Sequence, residues 1–347
     1  MSGEQAVSGE QAIQRQAETR NRRLLRLLLN IGVLPILLLI AIVLFSLMSG
    51  NFLSFFNIVN ILRQTSYLTI VALGQMIVML TAGFDLSVGS TVAVTSVTSA
   101  LAMAGVASGH PDAPWLAIAA GALVGFGCGL AMGVINGLGV ALLSVSPFIM
   151  TLGMASVGFC AALYLTAGMP VRGIPDEFAD YFDSTGFFGI KVPIWFAFAL
   201  AIAVYLLLNW TRLGRHFYAV GGNLKAAMLS GVHTRFTLFM AYAICAALTS
   251  VAGLLLTARM ETGEANIGSS MALESIAACV IGGVSLRGGV GRLEFVILGA
   301  IFIGVVQNGM NLARVESYLQ IVVTGLILIG AVIADEFRRR VVARLQD

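Results

Sequence analysis

Charge is scarce in this chain. Only 11% of its 347 residues are Asp, Glu, Lys or Arg, where a soluble globular domain carries about a quarter. With 58% hydrophobic residues and a mean hydropathy of +0.93, that shortage excludes an ordinary water-soluble fold. Lysine is scarcer still, present only as Lys191 and Lys225, and no G-x-x-x-x-G-K-[ST] stretch occurs. The chain therefore cannot cradle ATP in a P-loop, and any ATP-driven cycle needs an ATPase on another chain. The four cysteines, Cys128, Cys160, Cys245 and Cys279, stand singly in apolar stretches without a C-x-x-C pair, so small apolar packing is their expected role. His110, His216 and His233 lack metal-ligand spacing, and no metal site is expected. Alternating ten-residue segments are also missing, which removes a membrane barrel and leaves helices as the spanning element.

What is present is a series of apolar blocks. Hydropathy places ten spans at about 28–49, 60–82, 87–107, 115–143, 146–168, 192–210, 236–258, 270–286, 293–313 and 317–335. The polar stretch 1–23 reads as a disordered cytoplasmic tail ahead of an uncleaved signal anchor, because no small-residue cleavage site follows the first apolar run. The expected layout is a membrane domain over 24–337 and a short cytoplasmic tail over 338–347. An even number of spans puts both termini on one side. If that side is cytoplasmic, the inside segments hold Arg15, Arg20, Arg22, Arg23 and Arg26, then Arg212, Arg215, Lys225 and Arg235, then Arg287 and Arg292, then Arg338, Arg339, Arg340 and Arg344. The outside segments hold Arg172, Lys191, Arg259 and Arg314, so the positive-inside rule fixes this orientation in a cell membrane.

The chain also echoes itself. Gly133–Gly153 reappears as Gly304–Gly325, aligning Asn136-Gly137 with Asn308-Gly309, and Asp85–Val94 reappears as Glu264–Leu273, aligning Gly89-Ser90 with Gly268-Ser269. The offsets of 171 to 179 positions separate the copies by five spans. Five is odd, so the units, about 60–168 and 236–335, point in opposite directions across the bilayer. That is the inverted-repeat layout of alternating-access transporters, whose broken helices supply polar groups near the midplane. Within the fourth span, Gly121, Gly125, Gly129, Gly133 and Gly137 recur every fourth residue and form a ridge for close helix packing.

Polar side chains inside the apolar blocks are functional candidates by default, since each is costly in lipid. The candidate pathway or gate residues are Gln75, Asp85, Ser87, Ser90, Asn136, Glu274, Asn308 and Asn311, with Gln307 beside them. Asp85 opens the third span, where it serves either as a helix cap or as a gate. Glu274 sits in the first turns of the eighth, at a helix start or against substrate. Arg63, near the outer end of the second, is expected to snorkel to the interface. Asp176, Glu177, Asp180 and Asp183 in the outer 169–191 loop, with Glu261 and Glu264, form either a docking platform or a plain solvated loop.

The stretch GRHFYAVGGNLKAAMLSGV, Gly214–Val232, lies in the longest inside loop, 211–235. Asn223 is a good N-cap, Leu224, Ala227 and Met228 share one face, and Gly231 is a natural stop, so a two-turn amphipathic helix is expected between corners at Gly221-Gly222 and Gly231. Alone it is too short to persist in water and needs a surface to dock on.

This stretch, with GFDLSVGS at Gly83–Ser90, LESIAACVIGGVSLRGGVGR at Leu273–Arg292 and NGMNL at Asn308–Leu312, resembles the permease subunits of the ribose-type ABC sugar importers. The likeness runs from the first span to the C-terminus. It implies an all-α membrane fold of the cobalamin-importer type with about ten helices and an inverted repeat. It also implies a coupling helix that seats in a cytoplasmic ATPase through Gly214, Arg215, Gly221, Gly222, Asn223, Ala226, Ala227 and Gly231. Two permease subunits would form the pore, a soluble binding protein would deliver sugar, and ATP and magnesium would sit on the ATPase, with no cofactor in this chain. The family often has Gly-Gly-Ile-Asp-Leu-Ser where this chain has Ala82–Ser87, and a small residue where Arg287 stands. Branched-chain amino-acid importers share related motifs, which keeps an amino acid open as substrate. A cation-coupled sugar carrier or a passive channel would also explain the inverted repeat, but not the glycine-bounded loop.

Overall fold

The computed structural model describes residues 34–184, 186 and 189–344, with backbone alone at 334, 335 and 337–344. The expected tail 1–23 and the start of the first span lie outside the described residues. The helices are α1 (Leu34–Met48), α2 (Phe55–Leu80), α3 (Val88–Gly109), α4 (Pro114–Ala141), α5 (Pro147–Thr166), α6 (Asp176–Phe182), α7 (Val192–Trp210), α8 (Arg212–Gly222), α9 (Leu224–Leu229), α10 (Thr234–Met260), α11 (Met271–Ile281), α12 (Leu293–Leu312) and α13 (Ser317–Arg344). One isolated antiparallel bridge joins Val171 and Gly263.

Local chemistry explains many of these ends. Ser54 caps α2 by accepting from Asn57 N, and prolines occupy the first turns of α4, α5 and α7, where an amide would have no partner anyway. α5 stops where Ala167 and then Gly168 turn left-handed. Among the described residues, seven helices (α2, α3, α4, α5, α7, α10 and α12) are long and apolar enough to cross a membrane, and α1, α11 and part of α13 are shorter apolar helices. The chain is therefore a polytopic helical membrane protein.

Two expectations about extent need correcting. The eighth span, expected over 270–286, is a helix of 11 residues, about 16 Å, roughly half the hydrocarbon thickness. It stops where Gly283 turns left-handed at φ 79°, just after Gly282, where a Cβ would fall 2.6 Å from Phe295 O. The acidic loop contains its own helix, α6, anchored by buried Phe178. The backbone of α13 stays helical as far as Arg344.

The core is built on α2, 83% of whose apolar window is buried inside the protein, against 17% for α5, which faces outward. α4 packs on α3 of its own half and on α10 of the other; α12 packs on α11 and on α2 in the same way, and α2 and α10 also meet. The glycine ridge makes the first of these arrangements possible. A Cβ at Gly121 would lie 2.7 Å from Ser99 O and one at Gly125 2.7 Å from Ser99 Cβ, both on α3. One at Gly129 would strike both Thr95 and Ser250. On α10, one at Gly133 would lie 2.7 Å from Tyr242 O and one at Gly137 2.9 Å from Phe239 O. The expected ridge is thus a continuous backbone seam that passes from α3 to α10.

Candidate functional site

Two features stand out, an exposed elbow and a buried polar network, and α2 joins them. The elbow begins at α8. Thr211 accepts from Gly214 N at 3.1 Å and starts the helix. Gly214, Phe217 and Val220 bury one face, while Arg212, Arg215 and Ala219 stay exposed. Asn223 then caps α9, its Oδ1 accepting from Ala226 N at 2.9 Å, and Gly231 closes it with φ 83°. The cap and the stop match the sequence expectation. The expected corner does not, because Gly221 and Gly222 form the last turn of a helix that the sequence reading missed. Its legible signal was the threonine cap at Thr211 and the i, i+3, i+6 spacing of Gly214, Phe217 and Val220. The expected apolar face also divides: Ala227 is buried, whereas Leu224, Met228 and Leu229 are 51%, 57% and 78% exposed.

The two glycines do different work. A Cβ on Gly221 would collide with Leu80 O and lie 2.6 Å from Gly289 N, whereas one on Gly222 meets nothing within 4 Å. Gly289 N in turn donates to Leu80 O at 2.9 Å, with Gly288 and Gly289 left-handed at φ 82° and 71°. So the end of α2, the end of α8 and the 282–291 loop form one backbone-to-backbone joint that only glycine fits. Tyr218 pins the same joint by donating to Gly291 O at 3.0 Å. Burial, with Glu294 nearby, pushes its phenol further up, so the donor proton stays in place.

Five residues beyond Leu80 lies the network. The chain from Thr81 to Ser87 is non-helical, and Ala82 holds φ 63°, a left-handed conformation that costs an alanine about 1–2 kcal/mol. The departure from the family's glycine therefore falls where glycine would be at ease. Asp85 is 1% exposed, and its Oδ1 accepts from Ser87 N at 2.8 Å and Ser87 Oγ at 2.6 Å. Asn136 Nδ2 of α4 donates to Ser87 Oγ at 2.8 Å, and Ser90 Oγ donates to Ser87 O at 2.9 Å. With its amide oriented to satisfy both groups, Gln75 donates to Asp85 O at 3.1 Å and accepts from Asp85 N at 3.2 Å. Asp85 thus braces the broken segment before α3. It does not cap the first turn itself, since the residue at the N-cap position is Ser87.

The structure brings together Gln75, Asp85, Ser87, Ser90 and Asn136, but not the other candidates. Glu274, in the first turn of α11, accepts from Gln307 Nε2 at 2.9 Å. Asn308 exchanges two hydrogen bonds, at 2.9 and 3.0 Å, with Asn57, which the sequence reading missed although it is an amide in the first turn of an apolar helix. Asn311 accepts from Gln320 Nε2 at 2.8 Å. The two aligned echoes do meet: a Cβ on Gly89 would lie 2.6 Å from Gly268 O.

At the opposite end of α2, about 25 Å from Leu80, Arg63 does not snorkel. It pairs with Asp183 at 3.0 Å, the two side chains being 21% and 16% exposed, and Tyr67 donates to the other Asp183 oxygen at 3.0 Å. Lys191 donates to Asp183 O, and Arg259 of α10 lies over the Tyr67 ring. Asp183 is therefore committed to tying the 169–191 segment to α2 and is unavailable to a docking partner. Arg63→Gln is expected to lower the thermal stability of the purified protein by about 1–2 kcal/mol, between the values for exposed and buried pairs. Asp183→Asn added on top should cost little more. Full additivity in that double-mutant cycle would mean the pair is idle.

A bundle of membrane-length helices with a buried, broken polar segment and an exposed elbow fits a membrane permease. The chain belongs to the family described as the branched-chain amino acid transport system permease component, whose model matches residues 57–332. It is 38% identical to the ribose import permease protein of Escherichia coli over 307 residues, 88% of this chain and 92% of that protein. It is 35% identical to the D-allose transport system permease protein of Escherichia coli, covering 88% of this chain and 90% of the relative. The L-arabinose transport system permease protein of the same organism is also 35% identical, covering 84% and 85%. No solved structure matches the chain. The resemblance read from the sequence motifs is borne out, and the protein is a multi-pass permease of the inner membrane.

Proposed function

We propose that this chain is the membrane-spanning subunit of an ATP-driven ABC importer that carries a monosaccharide or related polyol inward. The observation that carries the substrate class is the 35–38% identity, over most of the chain, to permeases named for ribose, D-allose and L-arabinose. The family's description names branched-chain amino acids instead, so an amino acid is the other substrate to test.

In this reading the three shorter apolar helices join the seven long ones in ten passes of the cobalamin-importer type, the pass of α11 being completed by the non-helical chain on either side of it, with both termini cytoplasmic. The matched packing of α4 on α3 and α10 and of α12 on α11 and α2 supports the inverted repeat. A cytoplasmic ATPase, which holds ATP and magnesium, grips α8 and α9 through Arg215, Gly222, Asn223 and Ala226 and the exposed Leu224, Met228 and Leu229. Gly214, Gly221 and Ala227 shape the elbow from within, and exposed Gly231 closes it with its left-handed backbone. When two ATPase subunits close, the elbow moves, and the joint at Leu80, Gly221 and Gly289 passes the movement to the Asp85 segment five residues on. The ATPase acts by docking differently in the two states, which is the only way a partner can shift such an equilibrium. A second permease subunit completes the pore, and a soluble binding protein delivers the sugar.

The test is uptake into vesicles holding the permease with its ATPase and binding protein. Ribose, allose or arabinose should accumulate with an ionophore present and stop when ATP on the ATPase side is withdrawn. Uptake that follows an ion gradient would overturn the mechanism, and uptake of leucine but none of the three sugars would overturn the substrate class.

A further inference from the structure

An open cavity of about 440 Å³ lies beside the elbow, lined by Arg212, Leu213, His216, His233, Phe236 and Thr237. It separates the first turns of α8 and α10, so one wall belongs to the helix that leads into the elbow and the other to the helix that leaves it. Three of its six lining residues carry nitrogen donors, and none of the three has a carboxylate partner among the described residues. No Asp or Glu occurs anywhere between 184 and 260, while Arg212, Arg215, Lys225 and Arg235 fall within 211–235. Glu294 lies on the Tyr218 side of α8, and Tyr218 is some 160° of helical turn from His216 and 120° from Arg212. The cavity therefore presents uncompensated donors beside apolar walls formed by Leu213 and Phe236.

Its depth is set by its neighbours. α7 is a membrane-length helix ending at Trp210, two residues before Arg212, and α10 is another, starting at Thr234. Trp210 is 76% exposed and Phe236 58% exposed, next to the donors. Aromatic rings at helix ends mark the headgroup level of a bilayer, and basic pockets between helices at that level suit phosphate headgroups.

We propose that this cavity binds the phosphate of an anionic phospholipid, with Arg212, His216 and His233 facing the phosphate and an acyl chain lying along Leu213 and Phe236. A free phosphate offers the same anion without the chain, and the exposed apolar walls favour the lipid. Bound there, one lipid bridges α8 and the start of α10 and stiffens the elbow between them. The site rests on the membrane-spanning fold alone, so its failure would leave the sugar and ATPase assignments standing, and theirs would leave it intact.

Native mass spectrometry of the full-length permease, after incubation with phosphatidylglycerol or phosphatidylcholine in detergent, tests it. The wild type is expected to retain about tenfold more phosphatidylglycerol than a protein carrying Arg212→Gln and His233→Gln. Arg172→Gln, at an exposed cation on the 169–191 segment, should bind as the wild type does, and phosphatidylcholine should show no such difference. Excess inorganic phosphate should leave the lipid in place. Should the double variant fail to purify, His216→Gln replaces it and should show the same direction of loss. Equal retention by variant and wild type would overturn the site, and phosphate binding without lipid retention would overturn the lipid. Loss of ATPase co-purification with lipid retention unchanged would hand the cavity to the ATPase.

Discussion

A Gly222→Trp permease is expected to reach the membrane folded and to lose its ATPase. The position is exposed, and a Cβ built there meets no neighbouring segment within 4 Å, so the fold is expected to accept an indole. The same indole would stand between the elbow and any protein closing over Asn223 and Ala226. Gly221→Ala should behave in the opposite way. Its single methyl would drive into Leu80 O and the Gly289 amide, backbone atoms that cannot swing aside, at a cost of about 2–3 kcal/mol. Co-purification and thermal stability measured side by side separate the two: Gly222→Trp lowers the first alone, and Gly221→Ala lowers the second. A Gly222→Trp protein that still brings down its ATPase would refute the docking surface. A Gly221→Ala protein as stable as wild type would refute the joint.

Gly133→Leu is expected to abolish the folded protein. At this position α4 meets α10 with the Ala246 methyl and the Tyr242 carbonyl within collision range of any side chain. Leucine adds four carbons where none fits, and the cost exceeds about 3 kcal/mol because both neighbours are helix backbone or rigid methyl. Gly127 lies on the same helix with nothing within 4 Å of a built Cβ, so Gly127→Leu serves as the control. Size-exclusion profiles of the two from membranes should differ sharply, with a monodisperse peak for Gly127→Leu alone. Matching peaks would mean that α4 and α10 separate more readily than their packing implies.

The contrast between Gly133 and Gly127 shows what could be read in advance. A period-four ridge was legible because a helix places every fourth residue on one face, and the structure seats all five ridge glycines against neighbours. Likewise, Asn223 and Gly231 were legible as cap and stop because those residue types satisfy or release the backbone locally. The helix at 212–222 was missed because its two final glycines read as a corner. They are tolerated inside a turn of helix because another backbone lies against Gly221. Arg63 was expected near a helix end but lies about two turns inside α2, and its partner, 120 residues away, could not be found from spacing.

The sequence by itself determined the membrane class, the membrane-length helices to within about five residues, the glycine seam and the family. All of these depend on composition, on the period of a single helix or on contiguous motifs. Only the tertiary structure decided that Gly221 and Gly222 face opposite environments, and that Asp85, Ser87, Asn136 and Gln75 form one network while Glu274, Asn308 and Asn311 sit in others. It also decided that Asp183 is tied to Arg63 and that donors flanking the elbow line a common cavity. These are contacts between segments distant in the chain, and a side chain's own neighbours in sequence carry no record of which backbone will be packed against it.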